Sequence, residues 1–300
     1  MSDCQLAVLD DVPNVGRYVY FSIASAVAVD IRQSLARLAD MVDGTEVLVG
    51  IGPDLVNLLG AHVPGLHGFK ALSGATVLVP ATPSALCCWL RGDDRGDLLH
   101  LTRRLQMALA PGFALDQTVD AFRYGRGPNG HGRDLTGYED GTENPVADAA
   151  RAAALVQGAG PWMDGSSFMV VQQWVHDLDA FDALGETRQD HTYGRRRSDN
   201  EELADAPASA HVKRTAQESF TPEAFVLRRS MPWTAGLQSG LMFVAFGHSF
   251  AAFEVLMRHM VGLDDGVVDA LFGISRPVTG ANFWCPPMHH GRLDLRQLGL

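Results

Sequence analysis

The chain has 300 residues, of which 46% are hydrophobic and 20% charged, so it is long enough to bury a large core. Its net charge of −11 argues against nucleic acid as a partner, because binding phosphates requires a basic surface. No apolar stretch reaches the length of a membrane span, no signal pattern precedes the first helix, and the four cysteines lack metal-ligand spacing. We therefore predict a cytoplasmic protein with no membrane partner.

The first half of the chain alternates between strand and helix patterns. Strands show alternating or continuously apolar residues, and helices show apolar residues three or four positions apart. The order β-α-β-β-α-β is typical of a four-stranded antiparallel sheet covered by helices on one side. The predicted elements are strands 17–23, 47–51, 76–79 and 118–122 and helices 31–42 and 98–109.

The second half repeats this order of elements without a convincing sequence repeat. We expect residues 185–222 to form a long loop with little regular structure, and long loops inside compact domains are usually functional. The predicted class is α+β, with an N-terminal half over residues 1–150 and a C-terminal half over residues 151–300. The remaining predicted elements are strands 167–175, 224–230, 241–246 and 282–284 and helices 178–184 and 250–260.

The segment 137–145, Gly-Tyr-Glu-Asp-Gly-Thr-Glu-Asn-Pro, places one acid, Asp140, between two glycines. Glycines let the backbone turn tightly and approach another surface closely, so this turn can hold a carboxylate over a flat ligand. Clusters of Gly and Asp also form ordinary turns, and the five residues 137–141 alone leave both interpretations open. The preceding residues 132–136 and segments farther along the chain favour a functional site.

A second group of candidate residues lies in the long loop and in the strand that follows it. His211 stands in the loop segment Ser-Ala-His-Val-Lys-Arg, and the strand carries Arg228, Arg229 and Ser230. Successive side chains of a strand point to opposite faces, so Arg228 and Ser230 share one face. Arg229 shares the other face with apolar residues. We predict that Arg228 enters the pocket and that Arg229 lies at the strand end, in solvent or in a salt bridge.

Taken together, these segments resemble those of the dye-decolourising peroxidases, in particular the compact bacterial B type. The resemblance covers nearly the whole chain and is specific, because several motifs occur in the same order. The matching segments are residues 132–145, 165–181, 194–203, 211–214, 228–233 and 277–280.

The resemblance implies two ferredoxin-like halves, of which the C-terminal one mainly holds heme b (iron protoporphyrin IX). His211 would be the proximal iron ligand, and Asp269 falls where the family places an acid behind that histidine. Such an acid gives the histidine imidazolate character, which favours high-valent iron. The alternative for Asp269 is a charge on the solvated face of a helix.

On the distal side, the resemblance implies Asp140 and Arg228 as catalytic residues. Arg195 matches a residue that contacts a heme propionate, and Ser230 matches a cofactor-binding position that is Asn in some relatives and Ser in others. Asp140 is suited to move a proton between the two oxygens of hydrogen peroxide. Arg228, which stays charged, is suited to stabilise the peroxide anion.

The predicted function is a heme peroxidase that reduces hydrogen peroxide through an oxoferryl porphyrin-radical intermediate and oxidises organic donors such as dyes and phenols. The alternative is a heme-handling protein that carries, stores or demetallates porphyrin without peroxidase turnover. A distal acid together with a cation favours the enzyme, because a carrier needs neither.

The resemblance also implies a homo-oligomer, and the C-terminal residues 291–300 allow two interpretations. Some relatives carry a short apolar C-terminal address for an encapsulin shell, which would make that shell a partner. Alternatively, the leucines of this tail complete the fold.

Overall fold

The N-terminal half follows the predicted alternation of strands and helices in the structure, a computed structural model that describes residues 3–25, 27–74 and 76–300. Helix α3 begins where Asp94 Oδ1 accepts hydrogen bonds from the amides of Gly96 and Asp97, at 2.7 and 3.2 Å. The elements of this half are β1 (Val15–Ile23), α1 (Ala28–Met41), β2 (Val47–Ile51), α2 (Pro53–Leu58), β3 (Leu72–Ser73), β4 (Leu78–Val79), β5 (Leu86–Gly92), α3 (Arg95–Leu109) and β6 (Phe113–Phe122).

The C-terminal half has the same general sequence of elements but more short pieces. Its long strands are β7 and β10, which pair with each other over their length. The elements are α4 (Ala147–Ala154), β7 (Ser167–His176), α5 (Leu178–Ala183), α6 (Glu186–Tyr193), α7 (His211–Arg214), β8 (Leu227–Arg228), β9 (Met231–Ala235), β10 (Gln238–Gly247), α8 (Ala251–Met260), β11 (Ser275–Pro277), β12 (Ala281–Cys285), β13 (Met288–His289) and β14 (Arg292–Leu293).

The strands of both halves join in one ten-stranded sheet, in which eight strands close into a barrel. The order around the barrel is β7, β12, β2, β5, β1, β6, β9 and β10, and β10 pairs again with β7. Strands β8 and β11 extend β10 and β7 at their edges. The registered pairings are antiparallel, which confirms the mixed helix and antiparallel-sheet class. The two halves do not keep separate sheets.

Two layers of core follow from this closure. One fills the barrel interior with alternate residues of its strands, including Tyr18, Trp89, Met169 and Phe283, all fully buried. The other lies between the outer face of the barrel and the helices, where α1, α3 and α8 bury their apolar stripes. Every barrel strand is therefore buried on both faces over part of its length.

Burial on both faces explains one error of the sequence-based prediction. The third barrel strand of the first half is β5, over residues 86–92. Residues 76–79, where this strand was predicted, contain only the short strand β4, which pairs with β3 outside the barrel. Strand β5 reads Leu-Cys-Cys-Trp-Leu with almost every residue buried, so it lacks the alternation that indicates a strand with one exposed face. Its continuous apolar run was not recognised.

Two further predictions in the second half need correction. The strand predicted over 224–230 is reduced to Leu227–Arg228, and the main partner of β10 at that edge is β9. The segment 185–222 is more ordered than expected, because it contains α6, which Gly194 ends with φ +82°, and the short helix α7. The helix α7 begins at His211.

The C-terminal residues pack against the core. Leu293, Leu295 and Leu298 are buried, and the Arg32 guanidinium donates to the Gly299 carbonyl at 3.2 Å. These contacts support the interpretation in which the leucines of the tail complete the fold. None of the helices in the described part of the chain combines the length and the hydrophobicity that a membrane span requires.

Candidate active site

The loop between β6 and α4 carries Asp140 in the tight turn that its glycines predict. Gly137 and Gly141 both adopt left-handed φ values, +91° and +84°, which favour glycine. A Cβ on Gly141 would also lie 2.9 Å from the side-chain nitrogen of Asn144. The Asp140 amide donates to the carbonyl of Gly132 at 2.9 Å, which fixes the acid against the earlier part of the loop.

Arg228 faces Asp140 from the short strand β8. Its Nε atom lies 3.8 Å from Asp140 Oδ1, and the two side chains are 17% and 30% exposed. Asn144, from the same loop as Asp140, holds the backbone of Arg228 on both sides. Asn144 Oδ1 accepts from the Arg228 amide at 2.8 Å, and Asn144 Nδ2 donates to the Arg228 carbonyl at 3.0 Å. Sequence reasoning missed this function of Asn144, although the residue lies in the quoted motif.

His211 and Asp269 form a second pair. Asp269 Oδ2 lies 2.7 Å from His211 Nδ1, and the Asp269 side chain is fully buried. Asp269 Oδ1 accepts from the Leu271 amide at 2.9 Å and caps the turn Ala270–Gly273, so the carboxylate is fixed from both oxygens. The alternative of a solvated helix charge is wrong for Asp269. The acid orients the ring, and Nε2 has no hydrogen-bond partner within the described part of the chain.

Both pairs line one cavity, which we call the central cavity. Its polar part has a volume of about 1190 Å³ including the open mouth and is lined by Asp140, Arg195, His211 and Arg228, among others. An apolar part of about 680 Å³ adjoins it and shares Asp140, His211 and Arg228. The apolar part is lined mainly by β10 and α8, with Trp174, Phe243, Phe253, Leu256, Met257 and Met260.

These residues fit the predicted heme. The apolar part suits a flat macrocycle, and an imidazole oriented by a buried carboxylate is the usual donor for its iron. Arg195 lines the polar part, where its guanidinium also bonds Glu143 at 2.6 Å and the Asn200 carbonyl at 3.0 Å. A cation in the polar part suits the carboxylates of a porphyrin.

Ser230 is not brought into the central cavity with the other predicted residues. It lines a neighbouring cavity that also touches Asp140 and Arg228, and its hydroxyl accepts from the Val244 amide at 3.4 Å. Strand β8 ends at Arg228, so the alternation that pairs Arg228 with Ser230 does not continue.

Arg229 does not line the central cavity, as predicted, but it lies neither in solvent nor in a salt bridge. Its guanidinium donates to the carbonyls of Leu9 and Arg228, at 2.6 and 3.0 Å. Burial lowers the pKa of Arg229 from its ordinary value, and nearby Asp11 opposes that shift.

A buried histidine–aspartate pair, His176 and Asp134, also lines the central cavity. His176 is the next candidate for the iron ligand after His211 on sequence grounds, whereas its pairing with Asp134 was not predicted. His176 Nε2 lies 2.9 Å from Asp134 Oδ2, and Nδ1 lies 2.7 Å from the Ser275 hydroxyl. Burial raises the pKa of Asp134, but hydrogen bonds from His176 and Thr136 outweigh it and hold that pKa below its usual range. Both nitrogens of His176 are engaged, so it is not a second candidate for the iron. His176 lies two residues after Trp174 and so on the same face of β7, and this alternation was the signal in the sequence that could have placed it in the cavity.

The fold and the site together define a class: a mixed helix and antiparallel-sheet protein whose cavity suits a histidine-ligated heme with an acid and an arginine beside it. Residues 131–290 match the C-terminal region of Dyp-type peroxidases. A dye-decolorizing peroxidase of Rhodococcus erythropolis is 30% identical over 251 residues, covering 81% of this chain and 72% of that protein. One of Mycobacterium tuberculosis is 29% identical over 248 residues, covering 80% and 72%.

Solved structures agree with these relatives. A dyp-type peroxidase protein of Shewanella oneidensis matches with a TM-score of 0.86 and 28% identity over 99% of this chain and 98% of that one. A variant of DypB from Rhodococcus jostii, in complex with heme, matches with a TM-score of 0.81 and 25% identity over 93% and 95%. The chain therefore belongs to the dye-decolourising peroxidase family and is a peroxidase, as the motifs predicted.

Proposed function

We propose that this protein binds heme b in the central cavity and reduces hydrogen peroxide with Asp140 and Arg228 as its catalytic residues, at the expense of small organic donors. The observation that carries the proposal is that both residues and the oriented His211 line the same cavity. The DypB chain in complex with heme supports the cofactor. Bound heme supplies the electrons that cleave the peroxide oxygen–oxygen bond.

His211 holds the iron through Nε2 in this proposal, and Asp269 acts through His211. Because the buried Asp269 carboxylate accepts the Nδ1 proton, it fixes the tautomer in which Nε2 carries the lone pair. The same contact increases the basicity of the ring, which makes His211 a stronger ligand. Arg195, which lines the polar part of the cavity, would pair with a propionate.

Asp140 and Arg228 have different functions in the reaction with peroxide. The Asp140 carboxylate accepts a proton from one peroxide oxygen and returns it to the other, so that water leaves. Arg228 stabilises the negative charge that develops between those two proton movements. The 3.8 Å separation lets both side chains reach one small molecule while remaining electrostatically coupled.

Replacing Asp140 with Ala tests the function assigned to its carboxylate. The variant should keep heme but react with peroxide more slowly, by about 10²- to 10⁴-fold, because a general acid–base group is removed. Arg228→Leu should also slow the reaction, by loss of charge stabilisation. The measurement is the rate of the absorption change after one equivalent of peroxide. If both variants react at the wild-type rate, the assignment of the two residues is wrong.

We also propose that the fold consists of two ferredoxin-like halves whose sheets merge. Supporting this, the strand order is β6-β1-β5-β2 in the first half and β12-β7-β10-β9 in the second. In each half the strands therefore lie in the order fourth, first, third and second along the chain. The predicted division at residue 150 falls inside α4 (Ala147–Ala154), so this helix would form the connection between the halves.

The heme-handling alternative has no support over peroxidase turnover, because carriers do not require the Asp140–Arg228 pair. Homo-oligomer formation and a cytoplasmic location remain predictions from the resemblance and from the composition. An encapsulin partner is disfavoured by the burial of Leu293, Leu295 and Leu298 in the tail.

A further inference from the structure

A second cavity lies beside the central one and is lined by five arginines, Arg123, Arg126, Arg133, Arg228 and Arg229. We call it the arginine cavity. Its volume is about 790 Å³ including the open mouth, and Asp140 and Arg228 line both cavities, so these two residues form a shared wall.

The charge of the arginine cavity is not balanced by its own residues. Within the described part of the chain, only Asp11 and Asp140 contribute carboxylates to its lining, which leaves three positive charges in excess. Among described residues, Arg228 alone of the five arginines has an ion pair. This concentration of positive charge occurs in a chain whose net charge is −11.

Two of these guanidinium groups are also short of hydrogen-bond partners. The Nε atoms of Arg123 and Arg229 are buried and have no partner among the described residues. An unpaired buried donor is costly, and a donor that carries positive charge is best satisfied by an anion. The remaining contacts of Arg126 and Arg133 are to backbone carbonyls, which leave their charges uncompensated.

The lining of the arginine cavity also includes apolar and aromatic side chains beside a few polar ones. Tyr124, Phe122, Met231, Pro232 and Leu241 provide surfaces for the body of an organic ligand. Guanidinium groups match the planar carboxylate geometrically, with two parallel hydrogen bonds. We propose that the arginine cavity binds the carboxylate of an aromatic reductant, with its ring against these apolar residues and near the wall formed by Asp140 and Arg228.

This inference rests on the proposed peroxidase function and specifies the class of its organic donor. A phenol that carries a carboxylate would be held by its anionic group and oxidised at its hydroxyl. Two such phenols each lose one electron and one proton for every hydrogen peroxide, which is thereby reduced to two waters. The peroxidase activity supplies the oxidant, so no further reactant is required.

The test compares 4-hydroxycinnamate with its neutral methyl ester, which carries the same phenol. In the heme-loaded protein, Arg123→Gln and Arg126→Gln should each lower kcat/KM for the carboxylate by about tenfold, since one charge-assisted contact is lost. The ester should change by less than about twofold, because its phenol needs no cation. Arg126 is exposed, so its variant retains the fold even if Arg123→Gln does not. Arg104→Gln, an exposed arginine on α3 that lines neither cavity, is the matched control.

Calorimetric titration of the peroxide-free holoenzyme with 4-hydroxycinnamate measures binding alone. The same two variants should weaken Kd by about tenfold, and Arg104→Gln should leave it unchanged. Equal losses for carboxylate and ester, an unchanged Kd in both variants, or the same loss in Arg104→Gln would overturn the inference. If the wild type binds the carboxylate but does not react with peroxide, the proposed function fails and the anion site stands.

Discussion

Replacing Asn144 with Ala should slow the reaction with peroxide, although an amide has no acid–base role. The Asn144 side chain makes two hydrogen bonds to the backbone of Arg228, at 2.8 and 3.0 Å, and it is the one described side chain that bonds both the amide and the carbonyl of that residue. Each such bond contributes about 0.5–1.5 kcal/mol, so losing both removes about 1–3 kcal/mol from the structure that positions the guanidinium. If this whole cost falls on the position of Arg228, the rate decreases by about 5- to 150-fold.

Rapid mixing of the heme-loaded variant with one equivalent of peroxide measures this rate, and urea unfolding measures the accompanying loss of stability. Asn282→Ala is the matched control. Asn282 is a buried amide on β12 that donates to the His67 carbonyl at 3.2 Å, and it lines neither part of the central cavity. The control should lose stability without losing rate. The reasoning is refuted if Asn144→Ala reacts at the wild-type rate, or if Asn282→Ala is slowed equally.

Three further predictions concern the other titratable pairs. His211→Ala should abolish the ferric high-spin spectrum, and added imidazole should partly restore it; an unchanged spectrum would mean that another residue holds the iron. Asp269→Asn should keep the heme but raise its reduction potential in a potentiometric titration, because a neutral acceptor no longer makes the ligand anionic in character; an unchanged potential would contradict the proposed action through His211. Burial raises the pKa of Asp134, but hydrogen bonds from His176 and Thr136 hold it below its usual value. Ionised Asp134 therefore stabilises the fold above about pH 4, and this stability is lost as the pH falls through the lower folded pKa. Urea unfolding of Asp134→Asn should lack this acid-dependent loss, and a wild-type pH profile in the variant would contradict the argument.

Local rules predicted the parts of the site that depend on local geometry. Glycines on both sides of Asp140 indicated a tight turn, and strand alternation separated Arg228 from Arg229. Alternation does not extend to Ser230, because β8 ends at Arg228, two residues earlier, and Ser230 lines the neighbouring cavity together with Asp140 and Arg228. His211 was predicted from the family resemblance of its segment, since one histidine among eleven carries little information by itself.

The rest of the fold depends on contacts that no local pattern contains. Strand β5 is buried on both faces because the barrel closes, and closure depends on pairing between residues far apart in sequence. The pair of His176 and Asp134 joins β7 to the loop that carries Asp140, and its two residues are 42 positions apart in sequence. Each residue is ordinary in its own segment, and only the tertiary structure shows that they meet.

The two places where the halves meet in the barrel are much less extensively hydrogen-bonded than the ladders within each half. Strands β2 and β12 share a single registered pair, Ile51 with Trp284, and β6 and β9 share one, Ala121 with Trp233. By contrast, β1 and β6 are in register from Val15 to Ile23. Few backbone bonds must break to separate the strands at either junction, so amide hydrogens there should exchange with solvent before those of β1 and β7. We therefore expect the barrel to open locally at these two junctions first. One of them lies along β9, whose residues Met231 and Pro232 also line the arginine cavity.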